Sequence, residues 1–460
     1  MPSLTSKNTL HKWKFKAIER NKIIRQQRKR LLELEQSRDG WKLRFKTLQN
    51  SLTLKDKTTT DLSPKNQSAQ GHSYPLFLVL FCVQFLNYGA QSFRGCVHSL
   101  VCINLCFRLG FRKLPSHTTI RNWSCKMGYY RVHKVVEKSE ELWLILIDES
   151  ISLGNEKILL VLGMPLSKVI FDKALQVADL RVLAMEISKT WTGETIAVVL
   201  EKVSKHYPIG YIISDCGNNL KKSYELGSYL HIPDITHTMA NILASLYEKD
   251  AIFSAFCKEC KLLRQHWVLS KQSKFMPPSM RNKLRFANVF GLILWAKDKL
   301  EKWETLPTEV QKELSFLQEN KAFFEEFYAI QSQSLTLQKL FKVQGYSAEN
   351  HKKVVELLAK NEQKDGAKQA IFKQKTKEYL DVLAAKKPKE LAKIHCSSDS
   401  IESAFGKLKQ KINPKSNRQM TVFVLTLSCI GSAYSEKEVK KALETVKEKD
   451  LKNYRKNPPE

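Results

Sequence analysis

The chain has 460 residues, 43% of them hydrophobic, which suits two or three domains with real cores and excludes a disordered protein. Its 76 Lys and Arg against 46 Asp and Glu give a formal net charge of +30, which points to a polyanionic partner, nucleic acid before a membrane surface. The longest apolar run, "YPLFLVLFCVQFLNYG" (74–89), is too short and too interrupted to span a bilayer.

Residues 1–50 read as a basic helical arm, and the polar, basic start does not read as a signal peptide. Over 7–50 there is no proline, and a partial heptad places Ile24, Leu31 and Phe45 on one line and Leu34, Trp41 and Leu48 on the next. Breaks at Gln27 and Arg38 favour a short helical hairpin or a weak coiled coil. Within "RQQRKR", Arg25, Arg28, Lys29 and Arg30 could follow a phosphate backbone, or form a solvated face. Residues 51–73, rich in Thr, Ser, Asn, Gln and Lys, read as a linker.

Residues 74–137 have a helical pattern, and "RKLPSHTTIRNWSCKMGYYRV" (112–132) looks like the second half of a helix-turn-helix. Pro115 stops one helix and Ser116 can cap the next, with Ile120 and Trp123 packing inward. Thr118, Thr119, Arg121, Asn122 and Lys126 are then left outward, residue types that meet bases and phosphates. A generic helical pair is the alternative.

The period then changes. "LWLILIDESISLG" (142–154) and "EKILLVLGMPL" flank Gly154-Asn155, a two-residue hairpin signal. "LRVLAMEIS" (180–188) makes a third strand, and "GETIAVVLEKVSKHY" (193–207) an amphipathic helix. "IGYIISDCGNN" (209–219) is a fourth strand, ending in acid, glycine and asparagine, and "HIPDITH" (231–237) is a candidate fifth. The order β-β-β-α-β-α-β lets the first and fourth strands lie side by side and parallel.

From 238 to 395 the pattern is almost wholly helical, with Trp267, Trp295 and Trp303 as core anchors. Cys257 and Cys260 form a lone CxxC ahead of His266, without the second pair that tetrahedral zinc needs. Ten cysteines without secretory context suggest reduced thiols in a cytosol. "SSDSIESAFGKLKQKI" (397–412) is a further helix with Ile401, Phe405, Leu408 and Ile412 on one stripe and Lys407, Lys409 and Lys411 beside it. Residues 433–460 read as a charged tail.

The apolar first strand carries Asp148, and a buried charge is costly unless it is paired or binds a metal. Asp215 ends the fourth strand, so in neighbouring strands the two carboxylates face each other at about 5 Å. Mg²⁺ suits such a pair, with Mn²⁺ as a substitute, and a third acid completes a two-metal site for attack on a phosphodiester. Glu402 is the candidate. Simpler readings stand beside these: a satisfied structural acid for Asp148, and a cap or Asx turn for Asp215. For Glu402 the simpler reading is a capping box with Asp399. His237 could touch DNA or metal, or be a core or helix-start histidine.

"LILIDESISLG", "YIISDCGNNLKKSYE" and "SSDSIESAFGKLKQK" together resemble the three acidic motifs of bacterial insertion-sequence DDE transposases. "SRDGWKLRFKTLQ" and "LPSHTTIRNW" resemble the DNA-binding region that precedes their catalytic domain. The resemblance covers about residues 10–410. It implies an α/β, ribonuclease-H-like mixed sheet with a large α-helical insertion, preceded by an α-helical DNA-binding region. The catalytic domain would occupy 138–240 and 396–432, and the insertion 241–395. Asp148, Asp215 and Glu402 would be catalytic metal ligands, with Glu149 and Asp234 left without a fixed role. Lys407 and Lys409 would lie near the scissile phosphate. The partners implied are double-stranded DNA, as transposon ends and target, and a second copy of the chain, in a bacterial cytoplasm at the nucleoid. A catalytically inactive, transposase-derived DNA-binding protein is the alternative. The 187 positions between Asp215 and Glu402 depart from the minimal spacing of that fold and require the insertion.

Overall fold

A computed structural model describes Ile24 and residues 67–89, 92–107, 111, 113–135, 138–153, 156–279, 286, 289–359, 366–411, 422–429 and 434–456. Arg25, Arg28, Lys29 and Arg30 lie outside these residues, as do the side chains of Lys407 and Lys409. Two compact units are present. One comprises 1–65 with Arg264–Met276, where Ile24 is helical and exposed and Ser270 caps a 3₁₀ turn over Lys271–Phe275. The other holds everything described below except the end of one helix.

Three helices come first: α1 (Leu76–Tyr88), α2 (Phe93–Cys106) and α3 (His117–His133). Ser116 starts α3 by accepting the Thr119 N–H at 3.2 Å, one of the donors a helix start leaves unpaired. Then comes a five-stranded sheet. β1 (Trp143–Leu153) pairs antiparallel with β2 (Glu156–Pro165), Leu153 opposite Glu156, and β2 pairs antiparallel with β3 (Arg181–Ser188). The turn at Gly154-Asn155 lies outside the described residues. The chain crosses over through α4 (Gly193–Ser204), capped by Thr192, so β4 (Ile209–Ser214) runs parallel along the free side of β1. After α5 (Asn218–Gly227), the three-residue β5 (His231–Pro233) adds parallel to β4. The spatial order is β3-β2-β1-β4-β5.

Alternation along the strands fixes the two faces. Trp143, Ile145 and Ile147 of β1 join one core with Ile196, Leu200 and Val203 of α4, at the i, i+4, i+7 spacing that makes an apolar helical stripe. Leu144, Leu146 and Asp148 belong to the other face.

After β5 the chain is helical: α6 (Ile235–Tyr247), α7 (Ala251–Trp267), α8 (Phe290–Glu301), α9 (Thr308–Glu313), α10 (Ser315–Glu319), α11 (Lys321–Gln344), α12 (Ala348–Ala359) and α13 (Ala367–Lys386). An aromatic core binds this body, with Tyr247 stacked on Phe327 at 3.7 Å between ring centroids. Trp267 and Trp295 are buried, whereas Trp303 is only partly so. Among the described residues no helix is long and apolar enough to cross a membrane.

α14 (Asp399–Lys411) returns to the sheet and packs on β1, and a 3₁₀ segment (Val422–Cys429) packs on β3 and α3. The residues that read as a charged tail are instead α15 (Glu436–Thr445) and α16 (Glu448–Lys456). Val439, Ala442 and Leu443 join Val79, Cys82, Val83, Ile120, Trp123 and Met127 in one core with α1 and α3. The apparent linker also folds in from residue 67: Ala69 is buried and Gln70 N–H donates to Glu444 Oε1 at 3.0 Å.

This packing corrects one expected DNA contact. Thr118 and Arg121 are exposed and Asn122 partly so, but Lys126 is buried. α15, α16 and the 3₁₀ segment all pack on α3, more of the helix is covered than one apolar face, and Lys126 lies within that packing. Burial lowers the Lys126 pKa, and Glu448 and Asp450 oppose that shift. Its long stem lies in the packing while its charge answers those acids.

Gly128 records how close the approach is, because a Cβ there would sit 1.9 Å from the Leu425 carbonyl oxygen. Backbone cannot move aside as a side-chain tip can. Gly128→Ala therefore destabilises the fold by about 1–3 kcal/mol, although alanine favours a helix. Denaturant unfolding measures this, and a gain in stability would refute the contact.

Candidate active site

β1 is buried from Trp143 through Ile147, and Asp148 is where it emerges. Leu146 pairs with Ile213 across the parallel β1–β4 ladder. Two residues further along each strand bring Asp148 level with Asp215, just past the end of β4. Burial, followed by the negative charges of Asp215, Glu402 and Glu149, raises the Asp148 pKa to about 7, with His237 working in the opposite direction. Glu149 Oε2 is buried without a hydrogen-bond partner among the described residues.

Asp215 makes the Asx turn that the sequence left open: its Oδ1 accepts the Gly217 N–H at 3.1 Å. A buried polar base supports it. Ser214 Oγ donates to the Asp215 carbonyl at 2.7 Å and accepts from Tyr224 Oη at 2.8 Å. His231 Nε2 lies 3.1 Å from the same hydroxyl, and burial lowers its pKa to about 4. The neutral ring donating from Nε2 completes the one donor and two acceptors of a hydroxyl.

α14 carries Glu402 to the face of β1 that holds Asp148. Ile401, Ala404 and Phe405 of this helix are buried, and Glu402 is exposed. The capping box does not form. Asp399 is already the first helical residue, and its N–H donates to Ser397 Oγ at 3.3 Å. Its carboxylate instead accepts from Thr236 Oγ1 at 2.8 Å and pairs with Lys342 Nζ at 2.6 Å. Glu402 Oε1 lies 3.4 Å from His237 Nε2.

Asp234 is the residue whose role the sequence reading left unassigned. Fully buried, it caps α6 through Oδ1, which accepts His237 N–H at 2.7 Å and faces His237 Nδ1 at 3.0 Å. Oδ2 accepts Ser398 N–H at 2.6 Å and Ser398 Oγ at 3.0 Å. Burial works against its charge, but the bonds from His237 and Ser398 prevail and hold its pKa below the usual value. The signal for its local role was present, an Asp directly before the apolar start of a helix. Its bond to Ser398 is not local. His237, in turn, is raised to about 9, chiefly by Asp234 and further by Glu402 and Asp215.

Asp148, Asp215, Glu402, Asp234 and His237 thus share one end of the sheet. Carboxylate oxygens suit Mg²⁺ or Mn²⁺ by donor type, and the Asp148 pKa is raised first by burial and then by the neighbouring acids, a cost of charge that a cation would reduce. Among the described residues no three His, Cys, Asp or Glu side chains are gathered closely enough to hold a metal ion as they stand. A scan against protein-family models finds none that matches this chain, and no curated protein matches it.

The Asp148 shift has a signed consequence. An unfolded Asp148 ionises near 3.8 and the folded one near 7, so stability falls as pH rises through that window, and the full penalty remains above it. In metal-free buffer, Asp148→Asn raises the melting midpoint at pH 8 and leaves it close to that of the parent at pH 3.5. Scanning calorimetry at the two pH values checks this, and an equal shift at both would refute the raised pKa.

Proposed function

We propose that this chain is a DDE-type transposase, with a ribonuclease-H-like catalytic domain formed by the β3-β2-β1-β4-β5 sheet and α14, and α6–α13 as its helical insertion. One observation carries the reading: Asp148 and Asp215 lie level across the parallel β1–β4 pair, and α14 brings Glu402 to the same side. These three acids are the ones that resemble the family's motifs.

In this reading Asp148, Asp215 and Glu402 would hold divalent ions, Mg²⁺ or Mn²⁺, which when bound activate water and balance charge on the attacked phosphate. The chain's residues supply the positioning. The Asx turn holds Asp215 at its strand end, and Asp234 holds the start of α14. In the first cut, water oxygen bonds to phosphorus and the P–O3′ bond breaks, leaving a 3′-hydroxyl. That hydroxyl's oxygen then bonds to a target phosphorus as the target's own P–O3′ bond breaks, the proton passing to the oxygen that leaves as a new 3′-hydroxyl, so one phosphoester bond replaces another without an energy source. Exposed Thr118 and Arg121, partly exposed Asn122, the basic arm at 1–50, and Lys407 and Lys409 would bind the DNA, with two copies of the chain bridging two ends.

That no three His, Cys, Asp or Glu among the described residues form a group able to hold a metal ion favours one rival, a transposase-derived protein that binds DNA without cutting it. The experiment is incubation of the full chain with Mg²⁺ or Mn²⁺ and DNA from either side of its coding sequence, scored for nicks and joined products. Parent protein cleaves and joins, while Asp148→Asn, Asp215→Asn and Glu402→Gln each lose cleavage by orders of magnitude and still bind DNA. Full cleavage by any of the three variants removes that residue from the site. A parent that binds DNA but never cuts it supports the rival.

A further inference from the structure

Glu402 is about half exposed, on a helix that rejoins the sheet only after eight other α-helices among the described residues. A carboxylate on a long exposed side chain samples several rotamers, and ordering it costs conformational entropy. His237 stands where it can meet that cost. Its ring is only one-third exposed and its Nε2 lies 3.4 Å from Glu402 Oε1. On its other side Nδ1 faces Asp234 Oδ1 at 3.0 Å. Asp234 is itself immobile, fully buried and also bound to the backbone N–H groups of His237 and Ser398. The result is a chain of buried carboxylate, imidazole and exposed carboxylate in which each link orients the next. Groups that orient a metal's ligands in this way alter its affinity as strongly as some ligands do.

We propose that His237, held by Asp234, is a positioning residue that directs Glu402 toward Asp148 and Asp215 and so sets the affinity of the site for a divalent ion, an inference that rests on the three-acid reading above. The role is separate from ligation, since the ring's two nitrogens are engaged by Asp234 and Glu402.

The test is Mn²⁺ binding by the full chain without DNA, read from the free-ion electron paramagnetic resonance signal. Glu402→Gln serves as the control for the three-acid reading and binds Mn²⁺ more weakly than the parent. His237→Ala weakens Mn²⁺ binding by about tenfold or more. His237→Gln, whose amide nitrogen reaches the position of Nε2, recovers most of that loss. His237→Phe keeps the ring volume without a donor, and replaces the alanine variant if the latter unfolds. Binding by His237→Ala or His237→Phe as tight as the parent's, beside a weakened Glu402→Gln, overturns the positioning role and leaves the acid site standing. A glutamine variant as weak as alanine also overturns it. Equal Mn²⁺ binding by parent and Glu402→Gln, or no binding by the parent, overturns the three-acid reading and the inference with it.

Discussion

The buried carboxylate of Asp234 is the constraint on which the site depends. Removing a charge from water costs several kcal/mol, and the surrounding donors must replace that hydration. Here they come from two places 164 positions apart, the start of α6 and Ser398 before α14. Satisfying one oxygen without the other would leave a charge half-solvated in the interior. The charge therefore couples the two helix starts. Neighbouring bonds repeat the coupling: Ile235 N–H donates to the Cys396 carbonyl at 2.8 Å, and Tyr379 Oη to the Pro233 carbonyl at 3.0 Å. The helices between can then be long and irregular without displacing Glu402.

Burial grades across this end of the sheet, and the charges follow it. Asp234 is fully buried and keeps its charge because it is saturated with donors. Asp148 is partly buried among like charges and has its pKa raised. Glu402 is exposed. A chain of +30 draws polyanions toward itself, yet this end gathers acids that would repel a phosphate. His237, its pKa raised to about 9 chiefly by Asp234, is one cation among them.

The sheet was legible in the sequence because its signals are local. Alternation and apolar runs mark β1 to β3 within one residue at each end and the start of β4, which stops at Ser214 rather than running on through the acid to Asn219, and the β-β-β-α-β order lets β1 and β4 pair in parallel. Asp148 and Asp215 could be matched from that order alone. The errors arose where distant packing decides. In α3, outward positions were assigned on the assumption of one buried face, but the helix is covered on a second side, so Lys126 lies inside. In α15, the apolar residues Val439, Ala442 and Leu443 are sparse among charges, so the segment read as a tail. For Glu402 the three-residue spacing from Asp399 suggested a capping box, but the Asp399 N–H donates to Ser397. Asp234 showed its local role as a helix cap, and nothing near it in the chain announced Ser398.

The shared core of α1, α3 and α15 bears on the order in which the protein can be made. Roughly 300 residues separate Met127 from Val439, an interval of about 15–60 s at ordinary translation rates of about 5–20 residues per second. Throughout it, Trp123 and the α1 side chains around Val79 and Val83 lack the partners that complete their packing. The surface of α3 carrying Thr118 and Arg121 is thus finished only after the sheet and its acids have been synthesised. A ribosome that stops early therefore releases a chain in which α3 is not yet fixed against α15.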